Sequence, residues 1–256
     1  MDTRLDEIAD GIYRVSTHIP DVTASGMSVN QFVVLAEEPL LFHTGMRSGF
    51  PALVTALRRL MPLPRLRWVS FGHVEADECG AVNLLLAVAP YARVTVCDPT
   101  LPGSVDDLCD RPPVHLKPGE VVDLGGRRVR QVPTPHAPHN AEAQVLYEEM
   151  TGTLLCGDLF TQLGRGPAVT GEDLVQAALD AEVACGAANP GPAVPNALRD
   201  LAKLAPRTLT TMHGSAYEGD GAAALTALAD GWEDRFGKRA EDDGPTGGGR
   251  IASDHG

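Results

Sequence analysis

A layered α/β fold is predicted by three observations on this 256-residue sequence. Short β-rich runs are bounded by Gly, Pro, Asn or Asp, apolar stripes at helical spacing lie between them, and polar residues of metal-ligand type follow the runs. The length suits one large core, so a single domain is expected over residues 1–238. Residues 239–256 are acidic, Gly-rich and poor in large apolar side chains, and are expected to be disordered.

The elements follow in order. Gly11 to Val15, Asn30 to Leu35 and Pro39 to His43 read as strands separated by turn signals. A helix is expected from about Pro51, with Pro in its first turn and Leu53, Leu57 and Leu60 on one face. Leu66 to Phe71 reads as a strand, Ala81 to Val88 as an apolar helix and Arg93 to Cys97 as another strand. Val121 to Val129 holds a Gly-rich hairpin turn, and the segment ending at Pro133 leads into a His-Pro loop. Gln144 to Tyr147 and Thr153 to Cys156 flank a turn at Met150-Thr151-Gly152. Helices are then expected at about Glu172 to Cys185 and Pro195 to Leu204, a strand at Thr208 to Thr211, and a last amphipathic helix from about Ala222 to Phe236. Loops from His18 to Met27 and Phe160 to Gly171 are candidates to border a pocket.

The formal net charge of -13, with no basic stripe, argues against nucleic acid and anionic membrane surfaces as partners. No run of eighteen apolar residues exists and the first residues lack a basic signal start, so a cytoplasmic location is expected. Five cysteines show neither CxxC spacing nor the density of a disulfide scaffold. Cys79 alone sits beside the metal-like cluster, and the side chains around it already suffice as ligands.

That cluster is His73-Val74-Glu75-Ala76-Asp77-Glu78, four potential ligands within six residues directly after a strand. His136, Asp158 and His213 also occupy positions just beyond predicted strands. Any one of these is an ordinary polar loop residue taken alone. Together they gain weight, because separate strand ends converge on one edge of a sheet. Carboxylate oxygens mixed with imidazoles suit non-haem iron or manganese, whereas structural zinc more often recruits thiolates.

Four segments carry a resemblance to the metallo-β-lactamase superfamily: the His73 to Glu78 motif, Thr134-Pro135-His136-Ala137-Pro138, Cys156-Gly157-Asp158-Leu159-Phe160 and Thr211-Met212-His213-Gly214. The resemblance implies a four-layer α/β/β/α sandwich with a dinuclear centre at one edge. Hydrolases of the superfamily usually carry a second His where this chain has Glu75. The His-x-Glu-x-Asp form resembles instead the diiron domain of flavodiiron oxygen and nitric oxide reductases, taken here as a stand-alone, oxygen-binding diiron type. By that resemblance His73, Glu75 and His136 bind one metal, Asp77 and His213 the other, and Asp158 bridges them. The family's next residue is a His, and here it is Glu78, which leaves its role open.

The function implied is binding or reduction of oxygen or nitric oxide at two iron ions, with manganese or zinc as chemical alternatives. Glu78 and His139 are candidate proton or hydrogen-bond donors beside the metals, and Tyr217 is a candidate to reach the pocket. No Gly-rich phosphate loop follows a candidate strand, so FMN is not expected in this chain. A separate flavoprotein or rubredoxin-like donor is expected instead. A dinuclear hydrolase and a noncatalytic oxygen sensor are the competing readings, and a homodimer would cover open faces of a stand-alone domain.

Overall fold

The structure, a computed structural model, describes residues 2–97 and 104–237; the stretch 239–256 lies outside the described residues. Seven strands form the first sheet in chain order: β1 (Asp2–Ala9), β2 (Ile12–Ile19), β3 (Met27–Val34), β4 (Leu40–Phe42), β5 (Trp68–Ser70), β6 (Arg93–Cys97) and β7 (Val114–Leu116). The steps from β1 to β4 are antiparallel and those from β4 to β7 parallel. Parallel steps need crossovers. These are α1 (Phe50–Leu60) before β5, α2 (Ala76–Cys79) and α3 (Val82–Val88) before β6, and α4 (Ser104–Leu108) before β7.

The second sheet contains β8 (Val121–Asp123), β9 (Arg128–Pro133), β10 (Gln144–Glu148), β11 (Thr153–Leu155), β12 (Val169–Thr170), β13 (Thr208–Thr210) and β14 (Ala216–Glu218). Its spatial order is β12-β14-β13-β11-β10-β9-β8. The β8–β9 hairpin turns through Gly125 and Gly126, both at positive φ, a conformation that side-chain-bearing residues rarely adopt. Three helices belong to this half: α5 (Val175–Cys185), α6 (Ala193–Ala202) and α7 (Gly221–Trp232).

Alternation along the strands divides the core into three layers. On β4, Leu40 and Phe42 face the opposite sheet while Leu41 faces α1 and α3; on β11, Leu155 faces the opposite sheet and Leu154 the helices. The layer between the sheets joins Phe32, Phe42 and Trp68 from one side to Val129, Leu146 and Leu155 from the other. Leu53 and Leu57 of α1 close the first outer layer, and Leu198, Leu225 and Trp232 close the second. The result is the expected α/β/β/α sandwich.

Two buried amides fasten the sheets together at the edge where β5, β11 and β13 end. Asn30 donates through Nδ2 to Thr211 O at 2.8 Å and Gly214 O at 2.9 Å, and Gln144 donates through Nε2 to Phe71 O at 2.8 Å. Buried amide donors aimed at particular carbonyls fix register where apolar contact would allow sliding.

Several elements depart from expectation. β1 was not foreseen because its sequence is mostly polar, as befits an outer strand with one exposed edge. β7 and β12, three and two residues long, give no periodic signal. The last helix stops at Trp232 and the chain continues as a wider π turn over Glu233–Gly237. Truncation of Leu146, 1% exposed between the sheets, tests the layer assignment. Leu146→Ala should cost about 2–5 kcal/mol in urea unfolding; a change below about 1 kcal/mol would mean that the layer is not packed as described.

Candidate metal centre

The strand order delivers the ligand-type residues to one edge. His73 follows β5 by three residues, Asp158 follows β11 by three and His213 follows β13 by three. Gly72 occupies its position because a Cβ there would stand 2.9 Å from both carboxylate oxygens of Glu78. That close approach lets the Glu78 carboxylate accept from the His73 backbone N–H at 2.6 Å while Oε1 lies 3.2 Å from His73 Nδ1. With Nδ1 held against the Glu78 carboxylate, Nε2 is the nitrogen turned into the cluster, protonated where it meets Glu75 and able to bind a cation once that proton is released.

Behind Glu78 stands His43, fully buried and at φ 68°. Its Nε2 lies 3.4 Å from Glu78 Oε1 and its Nδ1 is 3.3 Å from Asn30 O. Burial holds the His43 imidazole below its ordinary pKa. A chain of contacts thus runs from Asn30 through His43 and Glu78 to His73.

The forward face collects the remaining groups. His73 Nε2 lies 2.7 Å from Glu75 Oε2, 3.1 Å from His139 Nε2 and 3.8 Å from Asp158 Oδ2. His139 Nε2 is 3.4 Å from Asp158 Oδ2 and 3.7 Å from Glu75 Oε2. One ligand atom from each of His73, Glu75, His139 and Asp158 lies within 4.8 Å of all the others. On the other side, His213 Nε2 is 3.3 Å from Asp77 Oδ2 and 3.5 Å from Asp158 Oδ1, while its Nδ1 meets Ser28 O at 2.8 Å. The two oxygens of Asp158 therefore face two different sets of donors. Asp158 Oδ1 is buried and receives no hydrogen bond, which is the condition of an oxygen shaped for a cation.

The electrostatics agree. Burial disfavours charge on His73, but hydrogen bonds to Glu75 and Glu78 outweigh it and push its pKa up to about 11. The Asp158 and Glu75 carboxylates push His139 up to about 9, and for His213 the Asp77 carboxylate overcomes burial to give about 9. Hydrogen bonds from His139 and His73 hold Glu75 well below the usual carboxylate range. So dense a set of carboxylates requires positive charge, as protons on the imidazoles or as metal.

Three of the residues singled out in the sequence lie away from the open face of the cluster. His136 is exposed and lies outside the cluster; its N–H donates to Asn140 O at 2.7 Å, and its carbonyl accepts from Asn189 at 3.1 Å. The loop turns back on itself, with Ala137 N donating to Thr134 O at 2.8 Å, and the ring brought to the cluster is that of His139. Glu78 faces neither the open side of the cluster nor solvent, since Gly72 and His73 draw it inward. Tyr217 borders a separate cleft with Phe160, Leu174 and Ala224, because β14 lies one strand beyond β13. Cys79 donates to Glu75 O at 3.2 Å and is not among the side chains gathered in the cluster; burial raises its thiol to about 12.

A cavity of about 160 Å³ opens in front of the cluster, lined by Met27, Thr161, Ala181, Glu182, Cys185 and Ala187 together with the ligand-type groups. Sequence reading missed Glu182. The available signal was an acid standing on the apolar stripe of α5 beside Ala178, Leu179 and Ala181.

Two outcomes check this geometry. The raised histidines stabilise the metal-free protein fully below roughly pH 6.5, the unfolded value, and that contribution is lost as pH rises through about 9 for His139 and His213 and about 11 for His73. Metal-free protein should therefore lose stability from pH 7 to pH 9 in thermal melts, while metal affinity rises over the same window as protons are released; flat melts would contradict the contacts. In metal analysis, His139→Ala should lower affinity at least tenfold, roughly the scale of losing a ligand or its support, and His136→Ala should leave it unchanged.

With fold and site described, similarity to known proteins is informative. The chain is 26% identical over 146 residues to a diflavin flavoprotein of Synechocystis sp., covering 52% of this chain and 24% of that protein. A diflavin flavoprotein of Nostoc sp. is 24% identical over 157 residues, covering 57% of this chain and 27% of that one. The chain thus spans about a quarter of the length of these relatives. Among solved structures, a metal-soaked flavodiiron core from Synechocystis sp. superposes with TM-score 0.78 at 22% identity, covering 91% of this chain and 61% of that chain. Rubredoxin oxygen:oxidoreductase from Desulfovibrio gigas gives TM-score 0.78 at 20% identity over 90% of this chain and 62% of that one. Residues 27–182, more than half of the chain, match the sequence profile of the ODP family beta lactamase, and the chain belongs to that family.

Proposed function

We propose that this protein is a non-haem diiron oxidoreductase that reduces oxygen or nitric oxide with electrons from a separate donor. The observation that carries this reading is the pairing of Glu75 with His73 in front of Asp158, whose two oxygens face two donor sets. His73, Glu75 and His139 would hold one ion, Asp77 and His213 the second, with Asp158 between them. Three anionic oxygens mixed with three imidazoles suit iron, and they disfavour a zinc hydrolase, whose sites are richer in imidazole. When bound, a reduced iron pair supplies electrons to a diatomic gas.

The residues of the chain supply the rest. Glu78 holds the His73 ring so that Nε2 faces forward, and Ser28 O does the same for His213. Met27, Ala181 and Ala187 limit the cavity to about 160 Å³, below the roughly 300–1,000 Å³ typical of sites for larger organic ligands. A diatomic gas needs no more. The electron donor is expected to be a flavoprotein or a rubredoxin-like protein, by analogy with the oxygen:oxidoreductase that shares the fold.

Protein prepared with iron under anaerobic reduction should hold about two ions per chain and consume oxygen or nitric oxide when a chemical reductant is supplied. Glu75→His should shift selectivity toward zinc and abolish that consumption. Firmly bound zinc with no redox response, together with hydrolysis of ester or lactam substrates, would overturn the reading.

A further inference from the structure

Glu182 stands where nothing in the fold requires an acid. It sits in the last turn of α5, 7% exposed, on the face that carries Ala178, Leu179 and Ala181 into the core. Burying a carboxyl in such a stripe is costly, and its position near the helix C-terminus further disfavours negative charge. Among the described residues, none hydrogen-bonds Glu182 Oε2. Glu182 also lines two cavities. One is the 160 Å³ space in front of the cluster; the other, of about 330 Å³, is bordered by Val183, Gly186, Ala188, Arg235 and Phe236. Among the residues lining these two spaces, Glu182 is the one they share.

We propose that Glu182 is the proton-transfer residue of this protein, carrying protons from the outer cavity beside Arg235 to the cavity in front of the metal cluster. The inference rests on the diiron reading above. Reduction of oxygen to water consumes four electrons from the external donor and four protons. In each transfer the Glu182 O–H bond breaks, a new O–H bond forms on the oxygen being reduced, and the carboxylate regains a proton from solvent through the outer cavity. Reduction of two nitric oxide molecules to nitrous oxide and water needs two electrons and two protons by the same route.

The surroundings fit a group that both gives and regains a proton near neutrality. Burial raises the Glu182 carboxyl to about 7, with His139 lowering it and Asp158 raising it further. Arg235 lines the outer cavity, but its guanidinium is engaged with Asp180 at 2.8 Å, which leaves the Glu182 carboxyl without a salt bridge. Cys185, on the same helix, lines the inner cavity and has its own thiol raised by burial and by Glu182. A carboxylate locked in an ion pair relays nothing; this one is unpaired.

The test uses the iron-loaded full chain and two variants, Glu182→Gln and Val183→Trp, the second filling the outer cavity from an exposed position. Infrared difference spectra should show a protonated carboxyl band that titrates near pH 7, shifts in D2O and is absent from Glu182→Gln. Gas consumption should fall by about a hundredfold or more in Glu182→Gln, roughly the lower edge of what a positioned acid contributes, with iron content and melting temperature unchanged. Val183→Trp should keep the band but slow its exchange in D2O. A band that persists in Glu182→Gln, or undiminished turnover in that variant, overturns the assignment. If the parent protein consumes neither gas, the diiron reading fails, and the infrared titration and exchange still decide whether Glu182 is an exchangeable acid between the two cavities.

Discussion

Negative charge gathered at one edge of the sandwich, buried at Glu78 and Asp158 and half exposed at Glu75, is the constraint from which the rest of the structure follows. Glu75, Asp77, Glu78 and Asp158 lie against His73, His139 and His213, with nitrogen–oxygen separations between 2.7 and 3.8 Å. Unpaired carboxylates in a space of low dielectric would be expensive. Each is therefore met by an imidazole, and the strand ends must hold those imidazoles against both thermal motion and the repulsion between carboxylates. The buried amides of Asn30 and Gln144 do this mechanically, fixing the loop that carries His213 and the strand that leads to His73.

The same constraint explains why Glu78 points inward. In a site already rich in carboxylates, a further anionic oxygen on the open side would add to the negative charge that the imidazoles must balance. Turned behind His73, the carboxylate instead fixes a ring and is shared with the buried His43. Gly72 is the residue that makes room for it. The chain thereby converts a position that carries a ligand-type side chain into a support for its neighbour, and the open side of the cluster is left facing the cavity.

Much of this was legible from the residues. Alternation and turn signals located β2 to β6, β9 to β11 and β13, because each of these strands buries apolar side chains on one or both faces. They failed for β1, β7, β12 and β14, where a polar edge or two to three residues carry no period. Within the site, His73, Glu75, Asp77, Asp158 and His213 were readable as a group because each follows a strand end by a few residues, and a strand end has little freedom to aim elsewhere.

What the sequence determined by itself was a layered α/β class and the donor types available at one sheet edge, since residue types after apolar runs state which donors such an edge can present; the four-layer arrangement was implied by the family resemblance. Tertiary structure alone decided the rest. Whether His136 or His139 turns inward depends on how the loop after β9 folds against Thr134 and Asn140, not on the presence of a histidine. Glu78 became a support and Tyr217 a wall of another cleft through the packing of elements distant in sequence. Glu182, read along the chain, is one acid in a helix; only the position of α5 between two cavities gives it a place at the metal edge, because side-chain direction and burial are properties of the packed molecule.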